Sequence, residues 1–195
     1  MLLPAKTLCR RRLLMSDQTV LIVDDEKNIR LTLSLALEAL NIAADTASTG
    51  EEALKKLSEK TYKLMLLDLK LPGMDGLEVL RRVAERYPAL KVIIMTAYGS
   101  IEVAVEAMKT GAVDFLQKPL DPDVVNRVVR RVLQAPPESP PVWKYEYYLD
   151  IAKQSITAGD FDVARVYAQK AIFLEYQRPE AYNILGGICE AKMDR

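Results

Sequence analysis

From Thr19 to Gln134, short apolar runs alternate with segments in which apolar residues recur every three or four positions. The short runs, 19–23, 42–46, 63–67, 91–95 and 113–116, are continuous in apolar or β-branched residues, as expected of strands buried on both faces in a parallel sheet. Between them, Asn28–Leu40 lays Ile29, Leu33, Leu37 and Leu40 along one helical face, and Glu51–Ser58 does the same with Ala53, Leu54 and Leu57. Leu77, Leu80, Ala84 and Tyr87 repeat the pattern before Pro88. Ala104, Val105 and Met108 do so before Gly111, and Val125, Val128, Val129 and Val132 complete the series. Five such strand-helix pairs predict an α/β domain of three layers, (βα)5, around a doubly wound parallel sheet.

After Gln134 the pattern changes. Residues 135–142, APPESPPV, predict an extended, semi-rigid linker. Beyond it the sequence predicts only helices: Trp143–Ala158, Asp162–Tyr176 and Pro179–Lys192, with Gly159–Asp160 separating the first pair. At the other end, MLLPAKTLCRRRLL has apolar stretches too short and too interrupted by charge for a signal-peptide core. It reads as a disordered extension or an upstream start before Met15, with a membrane contact through Arg10, Arg11 and Arg12 as the alternative. The expected plan is an extension over 1–15, an α/β domain over 16–134, a linker over 135–142 and helices over 143–195. No later stretch is long and charge-free enough to span a bilayer.

Composition narrows the chemistry mainly by what is missing. The 195 residues contain no histidine, which removes a Ser-His-Asp or Cys-His site, a histidine metal centre and a phosphohistidine. Lys+Arg and Asp+Glu both number 27, so bulk charge predicts neither a nucleic-acid nor a membrane partner. Cys9 and Cys189 form no CxxC, which disfavours a disulfide framework or a cysteine zinc site and makes a reducing cytoplasm the expected compartment.

Five polar residues stand where apolar runs end: Asp24 and Asp25 after VLIV, Asp68 after LMLL, Thr96 after VIIM, and Lys118 after DFLQ. If the strands are parallel neighbours, all five enter one crevice at the carboxyl edge of the sheet, where open α/β sheets bind ligands. Clustered there, Asp24, Asp25 and Asp68 repel one another unless a divalent cation neutralises them, and an all-oxygen set favours Mg²⁺. Asp68, the central member, precedes the turn sequence LPGMDG and is the candidate nucleophile. Each residue alone has a plainer reading. A lone strand-end Asp is usually a helix cap, and Lys118 alone would be a surface lysine.

These motifs together resemble the receiver domain of bacterial two-component response regulators over residues 17–134, and TAYGSIEVAVEAMKTGAVDFLQKPL is especially similar to receivers of the nitrogen-regulator type. The resemblance implies a flavodoxin-like fold with strand order 2-1-3-4-5. It also implies a phosphoryl group accepted by Asp68 from a histidine kinase or phosphotransfer protein. By the same resemblance Asp25 and Asp68 bind Mg²⁺ directly, Asp24 acts mainly through water, and the backbone carbonyl of Lys70 completes the protein's share. Lys118, followed by a cis peptide to Pro119, and Thr96 contact phosphoryl oxygens. Thr96 and Phe115 form the switch, with the ring moving inward as Thr96 shifts; many relatives have tyrosine where this chain has Phe115. Lys70 and Tyr98 tune the lifetime of the phosphoryl group. The changing surface is Ile101–Lys109, Val113–Leu116 and Pro122–Leu133. Arg127, Arg130 and Arg131 are either a solvated helix face or cross-dimer partners of Glu102, Glu106 or Asp114 in a homodimer through residues 101–133.

In the helical segment, Tyr148, Ile151, Ala152 and Ser155 recur thirty-four positions later as Tyr182, Leu185, Gly186 and Cys189. With Gly159, Ala164, Ala168 and Ala171 at small-residue positions, the segment resembles one tetratricopeptide unit plus the first helix of another. Tyr at the opening position and Ala168 depart from that pattern, and an ordinary helical hairpin is the other reading. Tyr145, Tyr147, Phe161, Phe173 and Ile188 are candidates for an exposed surface binding a downstream protein.

Nitrogen-regulator-type receivers often precede an ATPase, but these residues contain neither GxxxxGK[ST] nor a helix-turn-helix, which disfavours ATPase and nucleic-acid-binding outputs. The expected protein is therefore a phosphorylation-controlled adaptor that catalyses only its own phosphorylation and dephosphorylation. Two alternatives stand beside it. A haloacid-dehalogenase-type phosphohydrolase would require an acid where Lys70 stands, and a scaffold would keep the acidic pocket without being phosphorylated.

Overall fold

A computed structural model describes residues 19–96, 101–134 and 145–193, giving only the backbone for 101–105 and 190–193. The expected extension 1–15, the linker 135–142, Trp143 and Tyr98 lie outside the described residues. The chain divides into two compact units, Met1–Glu138 and Ser139–Arg195.

In the first unit, β1 (Thr19–Val23), β2 (Ala43–Ala47), β3 (Leu64–Asp68), β4 (Lys91–Thr96) and β5 (Asp114–Gln117) form one parallel sheet in the order β2-β1-β3-β4-β5. This is the flavodoxin-like arrangement. The central strands read VLIV, LMLLD and VIIMT, and those residues are buried because helices cover both faces. One layer pairs α1 (Lys27–Glu38) with α5 (Pro122–Gln134); the other runs α2 (Gly50–Glu59), α3 (Gly76–Arg86), α4 (Ile101–Thr110).

The differences from the expected pattern have local causes. The third, fourth and fifth strands each run one residue further than their apolar runs, so Asp68 and Thr96 are the last strand residues rather than the first loop residues. β2 begins one residue late and is not a buried run. As an edge strand with sequence AADTA, it buries only Ala47. In α3 the inward positions are Leu77, Val79, Leu80 and Val83, whereas the expected Ala84 is exposed, because the larger valines take the core face. Leu33 and Leu37 anchor α1, and Val124, Val125, Val128, Val129 and Val132 anchor α5. The start of α2 is fixed by Thr49, whose hydroxyl accepts the Glu52 N–H at 3.2 Å, while Glu52 reaches back to the Ser48 N–H at 2.8 Å.

The second unit comprises α6 (Tyr145–Thr157), α7 (Phe161–Leu174) and α8 (Pro179–Met193). Gly159, at φ +76°, makes the break after α6, and the Asp160 side chain caps α7 through the Val163 N–H at 3.3 Å. Ala152, Ala164, Ala168 and Ala171 are all buried, so the helix backbones approach closely, and Tyr148 and Tyr167 fill the core with ring centroids 5.8 Å apart. Two residues expected at an exposed partner surface are inside. Tyr145 is 1% exposed and its hydroxyl accepts the Ala181 N–H at 3.1 Å, tying α6 to the start of α8. Ile188 is buried on α8. Tyr147 is exposed, and Phe161 and Phe173 are partly so.

Candidate functional site

Parallel pairing brings the expected residues to one edge of the sheet. Asp24 follows β1, and its N–H continues the ladder to the Ala47 carbonyl at 3.1 Å. Asp68 ends β3 and buried Thr96 ends the neighbouring β4. Lys118 follows β5, its N–H bonding the Thr96 carbonyl at 2.7 Å, and its peptide bond to Pro119 is cis.

Carboxylate oxygens of Asp24, Asp25 and Asp68 lie within 4.8 Å of one another. Asp24 is 0% and Asp68 4% exposed, whereas Asp25 faces solvent. The Lys118 ammonium reaches over them, 2.7 Å from Asp68 Oδ2, 2.9 Å from Asp24 Oδ2 and 3.5 Å from Glu26 Oε1. The remaining oxygens are held from the backbone: Asp24 Oδ1 accepts the Glu26 N–H at 2.9 Å and Asp68 Oδ1 accepts the Lys70 N–H at 3.1 Å.

Burial pushes the Asp24 carboxyl above its ordinary range, against the opposing effects of the Lys118 ammonium and the Glu26 N–H. For Lys118, burial favours loss of the proton, but close pairing with Asp68 and Asp24 outweighs it and holds the ammonium above its usual range. At neutral pH this ammonium provides one positive charge against three acids.

The donor set fits a hard divalent cation. Three carboxylates converge, and Asp24 Oδ2, although close to the ammonium, receives no well-oriented hydrogen bond.

Sequence reasoning missed three supports of this site. Glu26 adds a fourth acid beside Lys118. A Cβ on Gly76 would overlap the Asp68 carbonyl oxygen and Leu69 Cα, so glycine is required for the start of α3 to lie against the end of β3. Arg30 on α1 donates from its guanidinium to the carbonyls of both Asp24 and Asp25. Next to the acids, a cleft of about 510 Å³ opens between Glu26, Asn28, Ile29, Thr32 and Leu33 on one side and Lys118, Pro119 and Leu120 on the other.

Phe115 is already buried in β5, alongside Ile94. Of the charges considered for a dimer, Arg131 bonds buried Asp114 within the chain at 2.6 Å, and Glu106 pairs with Arg81 of α3 at 2.8 Å. Arg130 is exposed; the Glu102 side chain lies outside the described residues.

Residues 20–130 match the family model described as the response regulator receiver domain. The DNA-binding transcriptional regulator NtrC of Escherichia coli (strain K12) is 41% identical over 114 residues, covering 58% of this chain and 24% of that protein. The transcriptional regulatory protein ZraR of the same strain is 34% identical over 142 residues, covering 73% of this chain and 30% of that one. The crystal structure of the receiver domain of NtrX from Brucella abortus aligns with a TM-score of 0.58 at 34% identity, covering 60% of this chain and 99% of that one. The chain belongs to the response regulator receiver domain family. Within two-component signalling its receiver is homologous to those of NtrC and NtrX. It spans about a quarter of the length of the curated NtrC proteins it matches. Among the described residues no helix is long and apolar enough to cross a membrane.

Proposed function

We propose that this chain is a phosphorylation-controlled adaptor that accepts a phosphoryl group on Asp68 from a histidine kinase or phosphotransfer protein. The observation that carries this reading is the bridge of Lys118 to Asp68 and Asp24 over three converging carboxylates. Asp25, Asp68 and the Lys70 carbonyl would hold Mg²⁺ directly and Asp24 indirectly; when bound, the ion neutralises the acids and the incoming phosphate. A carboxylate oxygen of Asp68 attacks phosphorus, a P–O bond forms, and the P–N bond to the donor's imidazole breaks with its electron pair. Lys118 transfers its ion pair to a phosphoryl oxygen, and the Thr96 hydroxyl donates to another.

The donor supplies the histidine this chain lacks. Its approach is favoured over α1, where Leu31 and Leu35 are 56% and 57% exposed and Asn28, Ile29 and Thr32 line the cleft beside Lys118. Output runs through the 101–133 face and through the tetratricopeptide-like helices of 143–195, which engage a downstream protein. Buried Phe115 makes the Thr96–Phe115 switch a repacking within the core rather than the capture of an exposed ring.

The test is intact mass after incubation with acetyl phosphate and Mg²⁺. A single phosphate adduct is expected on the native chain and none on Asp68→Asn, which is nearly isosteric and should keep the fold. An alkali-labile adduct on the variant would overturn the choice of acceptor. Continuous release of inorganic phosphate from an aryl phosphate would favour the hydrolase.

A further inference from the structure

Arg30 lies outside the acid cluster, yet it is bonded to the backbone of both residues that begin it. Its Nη1 donates to the Asp24 carbonyl oxygen at 2.6 Å and to the Asp25 carbonyl oxygen at 2.8 Å. The backbone of Arg30 is fixed in turn, its N–H bonding the Glu26 carbonyl at 3.1 Å and its carbonyl accepting from Ser34 Oγ at 2.8 Å. One nitrogen holding two successive carbonyls restrains the peptide planes on which the two acid side chains are mounted.

Helix stability does not explain this arrangement. Arg30 is in the first turn of α1, where a cation opposes the helix dipole. Its side chain nevertheless turns back toward the N-terminal end instead of extending into solvent. What it gains there is the β1–α1 turn: two charge-assisted bonds to carbonyls, beside a cluster of negative charge.

We infer that Arg30 is a positioning residue for the metal pocket, clamping the Asp24–Asp25 turn so that both carboxylates point toward Asp68. The inference rests on the proposal that these acids hold Mg²⁺. Outer groups that orient metal ligands commonly change affinity by an order of magnitude or more. Truncating Arg30 is therefore expected to weaken Mg²⁺ binding even though the three ligating side chains remain.

The experiment is a calorimetric Mg²⁺ titration of the full chain in native form and as Arg30→Met, Arg30→Lys, Asp25→Asn and Asp25→Asn/Arg30→Met, with metal-free urea unfolding of each. Arg30→Met should bind about tenfold more weakly, and Arg30→Lys, which keeps a cation with several N–H groups, should recover most of that loss. Because the clamp acts partly through Asp25, removing it should cost less in the Asp25→Asn background than in the native one. Native affinity in Arg30→Met, or a loss that adds in full to that of Asp25→Asn, would overturn the inference and leave the metal proposal standing. No Mg²⁺ binding by the native chain would overturn both. If Arg30→Met does not fold, Arg30→Gln takes its place with the same expected loss and non-additivity.

Discussion

The two units surround buried charge with different partners, acids and an ammonium in the receiver and aromatic rings in the helices. The receiver buries Asp24 and Asp68 with Lys118 at one edge of its sheet, where burial and repulsion make the groups costly to hold. In the helical unit the core is aromatic rings, aliphatic side chains and alanines around buried Lys170, whose ammonium lies 4.3 Å from the Tyr167 ring centre and 5.8 Å from that of Tyr148, while Arg178 and its partners Glu146 and Glu180 form a partly exposed network, with the guanidinium 4.0 Å from the Tyr145 ring centre. A charge that packing does not need calls for a chemical explanation. In the receiver the explanation we propose is a divalent ion and a phosphoryl group; in the helices the buried ammonium of Lys170 is met by the faces of two tyrosine rings.

The largest effect expected from this contrast is in the helices. Tyr148→Ala removes a fully buried ring that stacks near Tyr167 and should destabilise the second unit by about 3–5 kcal/mol. Segment-resolved hydrogen exchange should show protection lost in α6–α8 and retained in β1, β3 and β4. Loss across both units would break the comparison.

Next is Gly76→Ala. The added methyl meets backbone rather than a flexible side chain, so a cost of about 1–3 kcal/mol is expected in urea unfolding, with slower phosphate uptake as the Asp68 backbone shifts. Unchanged uptake in a destabilised variant would mean that the close approach serves the fold alone.

The smallest concerns a charge that serves a helix rather than the pocket. Hydrogen bonds from Ser48, with help from Lys56, lower the Glu52 carboxyl to about 2, against 4.5 for an ordinary glutamate. A depressed folded-state value means that the unfolded chain binds more protons between these limits. The contribution is therefore full above about pH 4.5 and is lost as pH falls toward 2. Glu52→Gln should show a small stability deficit at neutral pH that disappears over that acid window. A deficit independent of pH would contradict the sign.

Much of the receiver was legible in the sequence because its strands are buried on both faces and end in polar residues. A run such as LMLLD marks both the strand and the position of Asp68. Less legible were features that depend on approach rather than residue type. Nothing around Gly76 distinguishes a turn glycine from one required by a neighbouring backbone, and Arg30 looks like any arginine on an amphipathic helix. Ala84 lost its expected inward place because Val79 and Val83 offer more apolar surface to the core. In the helical unit, Tyr145 and Ile188 were expected outside because an amphipathic pattern shows which residues share a face but not which face a neighbouring helix covers. Once α8 packs, its Ala181 N–H needs an acceptor, and the Tyr145 hydroxyl provides one.

The convergence of the acids is tested most directly by a crystal structure of the chain with Mg²⁺ and beryllofluoride. The ion is expected at about 2.0–2.1 Å from carboxylate oxygens of Asp25 and Asp68 and the carbonyl of Lys70. Beryllium should be joined to Asp68, with Lys118 moved onto a fluoride. Beryllium on Asp24 or Asp25, or Mg²⁺ bound only away from this edge of the sheet, would contradict the account.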